Sequence, residues 1–590
     1  MSISYSQLFW AGALAWFLFW PGPLAAQWQT RFEQSEGRQT VSYAEGMDFY
    51  EKLARAYPQT IRLVPQGLTD SGLPLHTVVF SYDGNFDPAQ VRAQNRPVWL
   101  INNAIHAGEP DGVEATRQLM LALAQNPELA RQTVVVAIPF YNIGGVLNRN
   151  QTTRVNQNGP EAYGFRGNAR YYDLNRDFIK ADSRNALSFA QIFHTWQPQL
   201  FLDTHVSNGA DYQHVMTYIA TQADKLGGPM GHYLRLFFIP QLEQKMADRQ
   251  FPMCPYVNAY GRNPFPDGYP QFYDLPRYSS GYVALFACLG FIAETHMLKP
   301  FAQRVAATYA LMRSMLEMSE AEGAKLTDLQ KKQYQSQAQK DSLKLDWEVR
   351  KDTARRIAFA GYASRRIPSR VTTGERLFYD RTQPVQGEIP FYEFFSPIRP
   401  VQKPMAYILP QAWTEVLERL QASGVQWKRL RQDQEIPVEV YFIENYQTRT
   451  APFEGHYPHF NTEVRSEKQL LTFQKGDYVL WVNQPAGRYL VETLEPTAPD
   501  SFFNWNFFDI ILQQKEGYSD YVFEDLAEQL LKEDASLRTQ FARKMQEDQA
   551  FAQNPEAQLD YIYQHSVYRE PGYRRYPVFR LHQELPLATE

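Results

Sequence analysis

Residues from about Val41 to Glu320 predict an α/β fold built on a sheet with parallel strands. Three observations carry that expectation. Short apolar runs alternate with helical patterns, the runs are dense in β-branched residues, and polar, potentially reactive groups stand where three of them end.

In chain order, RPVWLINNAI (96–105) reads as a buried strand because its apolar residues follow one another without polar alternation. PDGVEATRQLMLALAQNPELA (110–130) reads as a helix. Leu119 and Leu123 share one helical face, and Pro110 suits a first turn, where its missing N–H is no loss. QTVVVAIPFYN (132–142) is a second buried strand. QIFHTWQ (191–197) is helical until Pro198 breaks it, and QLFLDTH (199–205) follows as a strand. YVALFACLGFIAETHM (282–297) reads as a helix feeding another strand that ends at Glu294. His106 with Glu109, His205, and Glu294 therefore stand at the carboxyl ends of three strands, the edge at which open α/β sheets bind ligands.

A chain of 590 residues exceeds what one hydrophobic core serves, so two or three domains are expected. Its 44% hydrophobic and 21% charged residues exclude a mainly disordered chain. Basic and acidic residues, 59 against 64, leave a formal charge of -5 and no field to hold a nucleic-acid backbone. Beyond Leu316 a charged, glutamine-rich run reads as an exposed helical linker, residues 321–350. Residues 351–590 read as an accessory α+β domain, with strands in VEVYFIENY and DYVLWVNQ and a helical hairpin around PQAWTEVLERLQASGVQWKRL. That half carries no evident catalytic cluster. His456 and His459 in EGHYPHF read as a surface loop, because a metal site needs three or four converging ligands.

At the N-terminus, LFWAGALAWFLFW (8–20) is uncharged and short for a membrane span, and PGPLAAQ adds a helix breaker and small residues. Residues 1–26 thus read as a signal peptide cut near Ala26, which makes the protein exported, periplasmic or extracellular, with no stable membrane span. The preceding stretch has no Lys or Arg, so an uncleaved anchor is the alternative. Cys254 and Cys288 either pair in an oxidising compartment or stay as buried thiols, and the residues leave both open.

His106 and Glu109 alone suit a polar loop as well as a metal site, since Glu109 would also stabilise a helix N-terminus. His205 adds weight to the metal. Two imidazoles and one carboxylate leave a fourth zinc position open, as catalytic sites do, where a bound water becomes nucleophilic near neutral pH. Glu294 is then either a buried acid paired with a cation or the general base beside that water. In RYYDLNRDF, Asn175 and Arg176 offer an amide and a planar guanidinium that grips a carboxylate through two parallel bonds. Upstream, Arg149 or Arg154 would reach an oxyanion.

The ordered set H-x-x-E, D-x-N-R, T-H and a strand-terminal E, across about residues 41–316, resembles the zinc carboxypeptidase family typified by carboxypeptidase A. The resemblance implies a three-layer α/β/α catalytic domain, residues 27–320, with a mixed, mostly parallel sheet of eight strands. It implies one zinc per chain on His106, Glu109 and His205, and Glu294 as base and then acid. It further implies that Asn175 and Arg176 hold a terminal carboxylate and that Asp173 orients a zinc-binding histidine. Arg154 would polarise the scissile carbonyl, with Arg149 and Arg166 as alternatives. A substrate-capping tyrosine is implied among Tyr273, Tyr278 and Tyr282. The activity implied is an exported zinc metallocarboxypeptidase acting on peptide or protein C-termini. The alternatives are a zinc amidase of the same fold acting on cell-wall peptides or acylated amino acids, and a non-catalytic peptide-binding protein.

Overall fold

The computed structural model describes residues 27–590, so the stretch read as a signal peptide lies outside the described residues. The N-terminal half is built on eight strands. These are β1 (Ile61–Leu68), β2 (Pro74–Phe80), β3 (Val98–Asn102), β4 (Val134–Ile138), β5 (Leu200–Ser207), β6 (Met216–Ala220), β7 (Cys254–Pro255) and β9 (Leu289–His296). Their order is β1-β2-β4-β3-β5-β9-β6-β7, while β8 (Tyr269–Pro270) leaves the sheet to pair with a hairpin of the second half.

Strands β4, β3, β5 and β9 run parallel, and β2 and β6 join them antiparallel on either side. The sheet is mixed, as expected. Every residue of β3, β4 and β5 is buried, which explains why their sequences lack alternation. Helices cover both faces. On one, α1 (Tyr43–Ala56), α2 (Asp111–Gln125) and α5 (Phe301–Ala338) bring Phe49, Leu119, Leu123 and Leu311 against Trp99, Ile101 and Leu202. On the other, α3 (Arg184–Trp196) and α4 (Ser279–Ala284) bring Phe189, Phe193 and Val283 against Leu100, Val136 and Phe201.

That second apolar layer continues into the C-terminal half. Tyr282 and Phe286 meet Tyr489 at ring separations of 6.2 and 5.5 Å. The segment expected to be an exposed linker is instead the packed second part of α5, helical only as far as Ala338. Leu326 is fully buried there. The amide of Gln330 donates to the carbonyls of Pro198 and Ala287, and that of Gln333 to Leu226. Glutamines that look solvated in the sequence satisfy backbone carbonyls stranded at loop and helix ends.

The helical hairpin expected near residue 420 is a single helix, Thr414–Ala422, ended by Gly424 at a positive φ of 72° and followed by a short strand, Lys428–Arg429. Long antiparallel hairpins dominate this half, Arg355–Pro368 with Glu375–Tyr392 and Gln434–Thr448 with His459–Phe473. Cys254 and Cys288 are free, buried thiols. His459 is bonded to Thr448 and Asp509 and only 5% exposed, and His456 meets Asp182, so the two histidines of EGHYPHF are tied down by contacts while Tyr457 and Phe460 remain at the surface.

Candidate metal centre

Each candidate residue reaches the centre through a local feature of the backbone. After β3 the chain turns through Ala104, at a positive φ of 58°, and the Glu109 N–H closes on the His106 carbonyl at 2.9 Å. This tight turn delivers both side chains of the H-x-x-E pair just before α2. Gly112 lets that helix sit directly on β5, since a Cβ there would collide with Thr204 and Asn103. Within β5, Asp203 and His205 lie one strand repeat apart and so share a face, and the β5–β9 register sets His205 opposite Glu294.

His106, Glu109 and His205 are buried, and one ligand atom from each lies within 4.8 Å of the others. Nδ1 of His106 is 3.1 Å from Nδ1 of His205 and 3.2 Å from Glu109 Oε1, while His205 Nδ1 is 3.2 Å from Glu109 Oε2. The far nitrogens face acids: His106 Nε2 is 3.0 Å from Asp173 Oδ1, and His205 Nε2 is 3.1 Å from Asp203 Oδ2. A proton on each Nε2 leaves two Nδ1 lone pairs and a carboxylate converging on one point. That donor set fits a divalent cation of the zinc type, with each imidazole backed by a carboxylate. Asp203 was not anticipated, although its spacing from His205 in LFLDTH is the signal that identifies it.

Burial raises the carboxyl of Glu109, but the Arg154 and His106 charges outweigh it and hold the group well below the usual range. Burial likewise opposes ionisation of Asp173, and His106 and Arg166 overcome it. Glu294 differs. Burial pushes its carboxyl up to about 8, with His205 pulling down and Glu109 pushing up. A carboxyl in that range takes up and releases a proton near neutral pH.

Two of the three candidate arginines face this centre. Arg154 pairs with Glu109 and donates from Nε to Gln157 at 3.0 Å. Arg166 grips Asp173 Oδ2 at 3.0 and 2.9 Å, and its third nitrogen lies 3.4 Å from His106 Nδ1 and 3.8 Å from Glu109. Arg149 is elsewhere, committed to the carbonyls of Thr40, Val41 and Ala162. A cavity of about 230 Å³ beside Glu109 is lined by Arg154, Arg166, Ser207 and Asn208.

The Asp173 side chain caps a short 3-10 turn, Leu174–Arg176, accepting the Asn175 N–H at 2.9 Å. Arg176 emerges from that turn with its guanidinium over the Tyr278 ring at 4.6 Å. Of the three tyrosines considered, only Tyr278 is brought to Arg176. Tyr282 is buried against His194, and Tyr273 bonds Asp346. Tyr260, missed in the sequence, is 58% exposed with its hydroxyl against that of Tyr256. Burial raises its phenol, and the charges of Glu294 and Arg176 both act on it.

Residues 47–210 match a protein family described as zinc carboxypeptidase, a span that includes His106, Glu109 and His205 and ends before Glu294. The chain is 22% identical over 440 residues to carboxypeptidase 2 of Trichophyton tonsurans, covering 70% of this chain and 74% of that protein. Carboxypeptidase 2 of Trichophyton equinum matches to the same extent. Among solved structures, a metallo-carboxypeptidase from Burkholderia cenocepacia matches with a TM-score of 0.36 at 15% identity, covering 48% of this chain and 70% of its own. Carboxypeptidase A from Helicoverpa armigera gives 0.36 at 14% identity, with 49% and 74% covered.

Proposed function

We propose that the protein is a hydrolase of the metallocarboxypeptidase type, exported, that trims peptides from their C-termini; the match of residues 47–210 to the zinc carboxypeptidase family and the similarity to the fungal carboxypeptidases support this reading. One zinc per chain would be held by His106, Glu109 and His205. The observation that carries the reading is the convergence of these buried ligands with Glu294 on the next strand and, through Asp173, with Arg176.

Zinc, when bound, supplies a Lewis acid that acidifies water and polarises a carbonyl. Glu294 takes the proton of the attacking water and returns it to the leaving amine, and its buried position keeps that exchange feasible near neutral pH. Asp173 and Asp203 hold the two imidazoles in the tautomer that presents Nδ1. Asn175 and Arg176 hold the free carboxylate of the substrate, fixing which bond reaches Glu294. Arg166, anchored by Asp173 and facing His106, donates to the carbonyl oxygen as charge builds on it. Arg154 serves as the counter-charge of Glu109.

Mass spectrometry of a peptide mixture tests this directly. The expected result is stepwise loss of C-terminal residues, abolished by a chelator and restored by zinc, with Arg176→Ala impairing free C-termini far more than amidated ones. Internal cleavage, or equal losses on both kinds of peptide, would turn the reading toward an endopeptidase or an amidase. Export rests on the composition of residues 1–26, and recovery from periplasm or medium of protein that begins at Gln27 is the expected outcome. No helix among the described residues is long and apolar enough to cross a membrane.

A further inference from the structure

The turn that presents Arg176 is touched by a residue of the C-terminal half. Between the strands Gln434–Thr448 and His459–Phe473 the chain folds back on itself, with Phe453 and His456 exchanging backbone bonds at 2.8 and 3.2 Å. Glu454 and Gly455 between them both have positive φ, 51° and 83°. Such a mirror-image turn favours glycine or asparagine at both central places, yet its first place is a glutamate. A strained backbone of that kind persists only where its surroundings enforce it.

The enforcement is visible. Phe453 stacks on Trp505 at 6.1 Å, and the Arg277 guanidinium covers both rings, at 5.8 and 5.0 Å. His456 Nε2 sits 2.7 Å from Asp182 Oδ2. Gly455 lies so close to Tyr172 that an added Cβ would come within 3.2 Å of its ring. So held, the turn aims Glu454 at the catalytic half, where its Oε2 accepts the Asp173 N–H at 2.9 Å. Among the described residues none donates to its Oε1. The result is a half-buried carboxylate, with one uncommitted oxygen, anchored on the capping residue of the turn that presents the guanidinium assigned to the terminal carboxylate of a peptide. Burial raises this carboxyl and the Asp173 charge adds to that, while the Asp173 N–H and the charges of Lys180 and Arg176 act in the opposite direction.

We propose that Glu454 is a specificity-determining residue which the C-terminal half adds to the peptide-end subsite: its free oxygen receives the cationic side chain of a basic terminal residue while Arg176 holds the carboxylate, and it repels an acidic one. This rests on the carboxypeptidase reading above. A single subsite then carries receptors of both signs, one from each half of the chain, and an arginine without the acid would take any terminal residue alike.

The test uses full-length, zinc-loaded protein and three peptides that differ only in ending with Lys, Phe or Glu. Wild type is expected to prefer Lys over Glu in kcat/KM. Glu454→Gln, which keeps an acceptor for the Asp173 N–H, is expected to shrink that Lys-to-Glu ratio about five-fold, through KM and not kcat, as loss of a partly exposed ion pair would. Glu454→Lys should reverse the preference. A ratio that neither variant alters, a uniform loss on all three peptides, or a wild type that prefers Glu overturns the proposal and leaves the carboxypeptidase activity standing. Wild type that releases no terminal residue from any of the three peptides overturns both.

Discussion

Glu294 follows an apolar run near the carboxyl end of β9, and its environment sets it apart from the carboxylates around it. Glu109 and Asp173 are held ionised by neighbouring cations, whereas burial keeps Glu294 protonatable near neutral pH. Glu294→Gln is expected to retain zinc, since this residue is no ligand, and to lower kcat by about three orders of magnitude. Metal analysis beside steady-state rates checks both halves of that expectation, and a variant that still turns over would remove the general-base role. The arginines make a finer comparison. Arg166→Ala should reduce kcat by about a hundred-fold, as removal of an oxyanion donor does, and by more than Arg154→Ala. The opposite ranking would return the role to Arg154. His106, Glu109, His205 and Glu294 could be singled out in the sequence because buried apolar runs lead up to them: the first two follow β3, and the other two lie among the last three residues of β5 and β9, strands that run on to Ser207 and His296 rather than ending at His205 and Glu294. The arginines were not, because loops bring both Arg154 and Arg166 to the centre from positions whose path no periodicity describes. Asp203 was hidden for the opposite reason, lying within an apolar run where an acid attracts no notice.

Among the elements, the strands of the sheet were legible because burial on both faces leaves an unbroken apolar run, as in VVVAI of β4. The second part of α5 was misjudged because its glutamines and charges match those of a solvated helix, and only the carbonyls they meet show otherwise. The chain from Asp177 to Asp182 illustrates how such contacts tie elements together. Lys180 bonds Asp177 at 2.6 Å and Asp182 at 2.9 Å, and Asp182 in turn receives His456 and, at 3.1 Å, Arg419 from the C-terminal half. Burial would raise the Asp182 carboxyl, but His456 and Lys180 outweigh it and hold the group well below the usual carboxylate range. A carboxyl depressed in the folded state stabilises above its unfolded pKa of about 4, and that contribution fades as pH falls toward the folded value. Asp182→Asn is therefore expected to cost about 2–3 kcal/mol near neutral pH, with the gap to wild type narrowing below about pH 4. Denaturant titrations at several pH values measure this. A gap that widens in acid would contradict it.

For the whole molecule, a two-domain division was read from the change in composition beyond Leu316, and that change is real. What composition cannot display is whether an apolar side chain faces its own domain or the neighbouring one. Phe286 and Tyr489 each look like ordinary core residues, yet they pack on each other across the boundary. Further links join the halves, among them Arg277 with Asp500 and Arg381 with Asp211. An N-terminal half expressed without the rest would expose Tyr282, Phe286 and their neighbours to water and is expected to aggregate. The shared apolar layer has a consequence for how the protein comes apart. Neither half keeps this shared layer covered once the other has melted, so heating should give one cooperative endotherm whose calorimetric and van't Hoff enthalpies agree. In thermodynamic terms the C-terminal half is then a permanently tethered subunit, and two separable peaks in a scanning calorimeter would show that it is a detachable module after all.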